Sequence, residues 1–290
     1  MRSLRSAVCF AESSSRQTMK AIVISKPSDL EVLQLQEVED PVIKDGEVLI
    51  RIEATAANQA DTLQRKGFHP PPKGASPYLG LECSGIIEAV GKNVSRWKTG
   101  DQVCALLAGG GYAEKVAVPA GQVLPIPPGV SLKDAASLPE VVSTVWSTVF
   151  MTSRLARGET LLVHGGSSGI GTFAIQIAKY QGERVFITAG SEEKLAVCKD
   201  LGADVCINYK TQDFVARVKE ETDGKAAGLR NRTPENKAVI VREVEKMVWP
   251  AIAAGKVKPV IFKYLPLSGA EEAHQLMESS MHIGKILLIP

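Results

Sequence analysis

The sequence predicts a chain in two parts. An all-β N-terminal region should form a barrel or compact sandwich, and an α/β region built on a parallel, doubly wound sheet should follow it. Three observations carry this. From Met19 to Val118, short apolar or alternating runs sit between Gly- and Pro-rich turns. From Thr160 to Thr222, three short apolar strands alternate with three helical patterns. Between the first of those strands and its helix lies a tight turn containing Gly165, Gly166, Gly169 and Gly171.

In the first part, Lys20–Ser25 (KAIVIS), Leu30–Leu35 and Glu47–Ala54 (EVLIRIEA) read as strands, the last preceded by an Asp45-Gly46 turn. A long loop rich in Gly and Pro is expected from Ala56 to Gly80. Cys83–Val90, Gln102–Leu107 and Tyr112–Val118 continue the strands, punctuated by Gly91, Gly100-Asp101 and Gly109–Gly111. The texture changes at Ser131–Leu138, where a capping-type serine has Asp134 three residues on. Val141–Ser153 is apolar and uncharged, which predicts one buried helix leading into the second part.

There, Thr160–His164, Arg184–Thr188 and Val205–Asn208 are the expected strands. Thr172–Tyr180, Glu192–Leu201 and Thr211–Thr222 are the expected helices. A strand turning through glycines into a helix suits an anion, because backbone approaches closely and the helix start offers free N–H groups. This makes Thr160–Lys179 the expected seat of a dinucleotide pyrophosphate, with Gly166, Ser168, Gly169, Ile170 and Gly171 around the phosphate. The same turn also reads G-x-S-x-G with Ser167 at its centre, so a serine hydrolase is the competing expectation. The nucleotide reading is favoured because an all-β region precedes the turn and the next strand arrives about twenty residues on, where a dinucleotide fold reads the ribose. No histidine precedes the Gly109–Gly111 run, where such a hydrolase usually has one. At the tip of the second strand no acid stands ready for a ribose 2′-OH. Ser191, Lys194 and Tyr209 instead supply a hydroxyl, an ammonium and a phenol, which favours a 2′-phosphate and hence NADPH.

The 290 residues are 44% hydrophobic and 23% charged with net charge +2, ordinary for a globular protein and no argument for nucleic acid or a membrane surface. No apolar run reaches the ~20 residues of a membrane helix. Cys9, Cys83, Cys104, Cys198 and Cys206 form no C-x-x-C, so no structural zinc is expected and buried free thiols are. Residues 1–18 hold three arginines, five serines and one acid without periodicity. They read as an unstructured leader, with an organelle-directed segment as the alternative to a cytoplasmic protein.

Several stretches point beyond fold class: Asn58-Gln59-Ala60-Asp61, Gly80-Leu81-Glu82-Cys83-Ser84-Gly85, Gly100-Asp101-Gln102-Val103 and HGGSSGIGTFAIQIAK. Others are TAGSEEKLAVCKDLGAD, Ile207-Asn208-Tyr209 and His282-Ile283-Gly284-Lys285-Ile286. On these stretches the chain resembles the zinc-free quinone oxidoreductases of the medium-chain dehydrogenase/reductase superfamily. The resemblance implies a GroES-like β-barrel catalytic domain over 19–140, a Rossmann NADP-binding domain over 141–254 and a return to the catalytic domain over 255–290. It also implies NADPH, a quinone or enone acceptor and a homodimer. Leu81 stands where zinc-dependent relatives carry histidine, so the implied chemistry needs no metal. Asn58 is the expected donor that orients the acceptor carbonyl, His69 is a further residue for the pocket, Asp61 is expected to tie the loop, and Lys285 joins the cofactor set.

One departure stands out. After Lys225 the family pattern should continue with a fourth strand and further βα units. Instead Ala226–Arg230 resembles a much later strand, and Pro234–Ala254 reads as one long amphipathic helix with Val239, Val244, Val248 and Ile252 on its apolar side. Roughly 50 residues are missing by the size of such units. The expectation is weakened NADPH binding and low activity, with an inactive, nucleotide-binding or dimer-forming remnant as the alternative.

Overall fold

A computed structural model describes residues 17–25, 32–222 and 234–290. Most of the expected leader, the stretch Ala226–Arg230 and the side chain of Val239 lie outside what is described.

Strands β1 (Thr18–Ile24) and β2 (Leu33–Glu39) form an antiparallel hairpin. The expected start at Leu30 lies outside the described residues; within them Leu33 stands opposite Ile24 and Glu39 opposite Thr18. Next come β3 (Glu47–Ala56), α1 (Gln59–Arg65), β4 (Glu82–Val90), β5 (Gln102–Leu106), β6 (Lys115–Pro119) and β7 (Val123–Pro125). Helix α1 falls inside the expected loop. At seven residues it is too short to show a helical period, and its start is tied by the Asp61 carboxylate, which accepts from the Asn58 N–H at 2.7 Å.

Helix α2 (Pro139–Val145) continues into a π-helical run, Trp146–Thr152, rather than one regular helix. In this run Trp146 and Phe150 stack with centroids 4.8 Å apart. The α/β region follows: β8 (Thr160–His164), α3 (Gly169–Gln181), β9 (Arg184–Ala189), α4 (Glu192–Asp200), β10 (Val205–Asn208) and α5 (Phe214–Thr222). The long helix expected after it is two, α6 (Pro234–Met247) and α7 (Trp249–Ala253), because Pro250 has no N–H with which to continue the ladder. Val244, Val248 and Ile252 are nonetheless buried, against Val141, Val142 and Phe173 of the core. The chain closes with β11 (Ile261–Pro266), α8 (Ala270–Ser279) and β12 (Lys285–Ile289).

The larger sheet has the order β11-β12-β3-β4-β5-β7, with β6 also paired to β3. The long strand β3 organises it: one edge takes β4, while the other takes β6 along its first half and β12 at Thr55 and Ala56. Among the described residues no pairing closes this sheet, so the expected barrel is an open mixed sheet. Its outer strands end on Pro125 and Pro266, which carry no N–H for a closing ladder.

The smaller sheet is parallel with order β10-β9-β8. Alternation in its strands shows the two-sided winding. Leu161, Val163, Val185 and Ile187 pack with Ile175 of α3 and Leu195 and Cys198 of α4. On the other face, His164 meets the Phe214 ring of α5 edge-on, and Arg184 donates to Glu221 of α5. Helix α5 therefore crosses to the second face, as a doubly wound sheet requires, but no described strand follows it into the sheet. Strand β8, which would be central in a full sheet, is an edge among the described residues. Its residues are only half-buried, and His164 is exposed.

Candidate active site

The glycine turn lies where the two sheets meet. Gly284 bridges to Ser168, its N–H bonding the Ser167 carbonyl at 3.0 Å, so the turn before α3 is pinned to the start of β12. The turn needs its glycines for space. A Cβ on Gly171 would sit 2.5 Å from the Gly165 carbonyl, and one on Gly169 would sit 2.4 Å from Cδ of Lys285. Gly165 takes φ +71°, with nothing within 4 Å of where a Cβ would stand. Ser168 caps α3, its Oγ accepting from Gly171 N–H at 3.0 Å. No described residue accepts from the N–H groups of Gly169 and Ile170, and both point out of the first turn. Orphan donors at the positive end of a thirteen-residue helix, beside half-exposed Ile170, fit a pyrophosphate.

At the neighbouring strand tips, Ser191 caps α4, accepting from Lys194 N–H at 3.4 Å. Half-exposed Tyr209 lays its hydroxyl over Gly190, where a Cβ would come within 2.6 Å, and the Lys210 stem closes the same spot. Lys194 reaches from α4 to the carbonyl of Ser280 at the end of α8. The nearest acid, Glu192, is engaged by Asn208 Nδ2 at 2.8 Å. Hydroxyl and ammonium groups thus gather at this tip while Glu192 is engaged elsewhere, which fits a 2′-phosphate better than a bare ribose. Lys210 escaped sequence reading, although it directly follows Tyr209.

Between the sheets lies a buried cluster built from four elements. Lys285 Nζ lies 2.7 Å from both Asn58 Oδ1 and Glu82 Oε1. Asn58 Nδ2 donates to Glu82 Oε1 at 3.1 Å and to the Ala56 carbonyl at 3.3 Å, while Glu140 N–H donates to Glu82 Oε2 at 2.8 Å. Both amide hydrogens of Asn58 are therefore engaged, contrary to its expected role as the free donor. Lys285 has three hydrogens and two acceptors here, so it holds a donor to spare. The Glu140 carboxyl is pushed up by burial.

Behind this cluster runs a second chain. Asp61 accepts from Asn58 N–H and, at 3.0 Å, from Gly80 N–H, which ties together the two loops carrying Asn58 and Glu82. Burial pushes the Asp61 carboxyl up to about 7, against the pull of those two N–H groups and of Lys285. Tyr112 hydroxyl donates to Asp61 at 3.4 Å and lies 3.2 Å from His274 Nε2. Arg65 NH1 lies 3.2 Å from His274 Nδ1, and NH2 binds Glu278 at 2.7 Å. A guanidinium can only donate, so Nδ1 accepts and the imidazole proton sits on Nε2. Burial and the Arg65 charge bring His274 down to about 3, holding it neutral.

His69 lies exposed in the loop after α1. The three described histidines with hydrogen bonds use Arg65 and Tyr112, Thr188 and the Leu276 carbonyl; none bonds Ser167. Cys83, Cys104 and Cys198 are buried free thiols, and Cys206 is half-buried. Burial raises the Cys83 and Cys104 thiols well above their ordinary range. Among the described residues no group of three or more metal-ligating side chains converges.

Residues 44–128 match the profile of the alcohol dehydrogenase GroES-like domain, and residues 169–229 and 225–288 match two zinc-binding dehydrogenase profiles. A quinone oxidoreductase of Mus musculus is 30% identical over 327 aligned positions, covering 94% of this chain and 98% of its own. Since 94% of 290 residues is about 273, about 54 of those positions have no counterpart here, the scale of one or two βα units. The chain also matches 10% of a mycocerosic acid synthase-like polyketide synthase of Mycolicibacterium smegmatis, at 30% identity over 203 residues and 70% of this chain. The crystal structure of Escherichia coli quinone oxidoreductase complexed with NADPH superposes with TM-score 0.80 at 26% identity, covering 94% of this chain and 100% of that one. Sheet order, glycine turn and full-length similarity agree, and the chain belongs to the quinone oxidoreductase family of the medium-chain dehydrogenases/reductases.

Proposed function

We propose that the chain is an NADPH-dependent oxidoreductase that reduces a quinone or a related enone without zinc. The observation carrying this reading is the pairing of orphan N–H groups at the start of α3 with the Lys285–Asn58–Glu82 cluster directly behind them. The cofactor is NADP(H), which when bound supplies hydride. Gly169 and Ile170 N–H groups hold its pyrophosphate. Ser191, Lys194, Tyr209 and Lys210 hold the 2′-phosphate. Asn58 and Glu82 aim Lys285, whose remaining N–H is the donor for a carbonyl oxygen that gains charge as it is reduced.

Cofactor binding is weakened in this chain. The second half of the sheet should form one wall of the crevice, and the described smaller sheet stops at three strands. Titration with NADPH followed by nucleotide fluorescence, then oxidation of NADPH with 1,4-benzoquinone and with a panel of 2-alkenals, tests the reading. The expected result is weak but saturable binding, slow turnover and one acceptor class preferred. Tight binding with ordinary turnover removes the claim of impairment, and no binding at any concentration leaves a non-catalytic remnant. That similar solved structures include complexes with NADPH, the Escherichia coli enzyme among them, supports the choice of cofactor.

A further inference from the structure

The short stretch from Ser280 to Lys285 touches both halves of the nucleotide seat. At one end the Ser280 carbonyl accepts from the Lys194 ammonium, at the start of α4 beside its cap Ser191. At the other end Gly284 N–H bonds the Ser167 carbonyl at 3.0 Å, and the Lys285 stem lies against Gly169 at the start of α3. His282 stands midway and is only 8% exposed. Its Nδ1 lies 3.1 Å from the Leu276 carbonyl of α8. A carbonyl can only accept, so Nδ1 carries the proton and Nε2 keeps its lone pair. No described residue bonds Nε2. The Phe262 ring of β11 meets the imidazole edge-on, with centroids 6.2 Å apart. The charges that reach the ring are Lys194 of α4 and, more weakly, Lys285 of β12, and no described carboxylate pairs with it. Burial and these two cations push the imidazole below its ordinary range, so the protein alone holds it neutral near pH 7.

We infer that His282 is a proton-linked member of the 2′-phosphate seat: it takes up a proton as NADPH binds, and the imidazolium then holds the phosphate together with Lys194. This builds on the NADPH reading above. A phosphate monoester carries close to two negative charges near neutral pH. Set beside Lys194, it offsets the ammonium charge that keeps the imidazole neutral and favours the charged form instead. Protonated Nε2 becomes a donor and makes a charge-assisted bond to a phosphate oxygen. Lys194 bears on the ring more strongly than Lys285, which assigns the effect to the 2′-phosphate end rather than to the pyrophosphate at α3. The bound state holds the proton more firmly than the free state, so affinity is greatest in acid and is lost as pH rises through the bound-state value. A bare 2′-hydroxyl brings no charge to draw the proton in, so preference for NADPH over NADH narrows as pH rises.

Calorimetric titration of the full chain with NADPH reads affinity, and repeating it in buffers of different ionisation enthalpy reads proton uptake. Above about pH 6.5 the 2′-phosphate itself is mostly dianionic. Between about pH 6.5 and 8.5 the wild-type dissociation constant should rise about fivefold, with uptake of about half a proton at the acid end. His282→Asn keeps a donor for the Leu276 carbonyl and takes no charge. It should match wild type at the alkaline end and lose the dependence below it. NADH should show no dependence with either protein. A flat wild-type profile without uptake, a slope retained in His282→Asn, or an equal slope for NADH would each overturn the role of His282 while leaving NADPH binding in place. Absence of saturable NADPH binding at every pH would overturn both. The wild-type comparison of NADPH with NADH decides the matter if His282→Asn fails to fold.

Discussion

The larger and smaller sheets of this protein differ in how they finish. In the larger, β3 is bordered on both sides, and behind it Asp61, Asn58, Glu82 and Lys285 each have two or more partners. In the smaller, the sheet stops at β8, whose residues are half-buried and whose outer backbone groups have no described partner. Both belong to one family pattern, yet among the described residues only the larger has its organising strand bordered on both sides by other strands. Chemistry-bearing groups sit in the region that is complete, while the helix start that should present the cofactor sits in the region that is not.

The largest test of this contrast is Lys285→Met. Glu82 is fully buried and Lys285 nearly so, and removing the cation leaves a buried carboxylate without its counter-charge. Breaking such a pair costs about 3–5 kcal/mol. Urea unfolding should show a loss of that size, and Lys285→Met with Glu82→Gln should recover much of it. A change below about 1 kcal/mol would mean that the cluster is wet and the larger region looser than its contacts suggest.

Next comes a pH experiment on the Asp61–Tyr112–His274 chain. Asp61 has its folded value raised from 3.8 to about 7, so between those values the folded state binds the extra proton and stability falls as pH rises. His274 is brought from 6.5 down to about 3, so the unfolded state binds the extra proton there and stability rises with pH. The two slopes oppose one another between about 4 and 6.5. Relative to wild type, Asp61→Asn should add a positive slope of stability with pH in that window, and His274→Gln a negative one. Parallel curves for all three proteins would remove the assignment.

The third test joins the two regions. A Cβ on Gly169 meets Cδ of Lys285, the flexible part of a side chain, so Gly169→Ala should displace the lysine more than the backbone. Folding stability should fall in the same direction as in Lys285→Met but by less, because the displaced ammonium loosens from buried Glu82 without being removed, and the NADPH dissociation constant should rise about tenfold, or 1.4 kcal/mol. An unchanged constant would separate Lys285 from the cofactor seat.

What was legible in the sequence divides along similar lines. β8, β10 and the glycine turn were read to the residue, because strand period, glycine spacing and helix start are local signals. The break in the family pattern after Lys225 is visible for the same reason, since it falls within one stretch of chain. The clusters were not. Lys285 and Asn58 are 227 positions apart, and Arg65 and His274 are 209 apart, so nothing local announces either contact. Helix α1 and the π-helical run after α2 were missed because each is only seven residues long, shorter than a reliable period. Asn58 is expected as a donor through the resemblance carried by Asn58-Gln59-Ala60-Asp61. Only the three-dimensional arrangement shows its amide hydrogens engaged and the spare donor moved to Lys285.

The smallest expected effect concerns α5, the helix that crosses to the second face with no described strand after it. Among the contacts that hold it are the edge-on ring pair of His164 and Phe214 and the ion pair of Arg184 with Glu221. Arg184 is about two-fifths exposed and already lies over the Phe186 ring, with its guanidinium carbon 4.7 Å from the centroid. Glu221 also pairs with Arg217 at 2.8 Å along the same helix. Solvent screening and this second partner limit what the Arg184 pair contributes, so Glu221→Gln should cost only about 0.5 kcal/mol. Phe214→Ala should cost more, because an apolar contact over an open sheet has no alternative partner. Hydrogen exchange at the amides of α5 and β9 reads both. If Glu221→Gln loosens α5 as much as Phe214→Ala does, charge rather than apolar contact holds the crossover helix in place, and the smaller sheet lacks an apolar second layer as well as its second half.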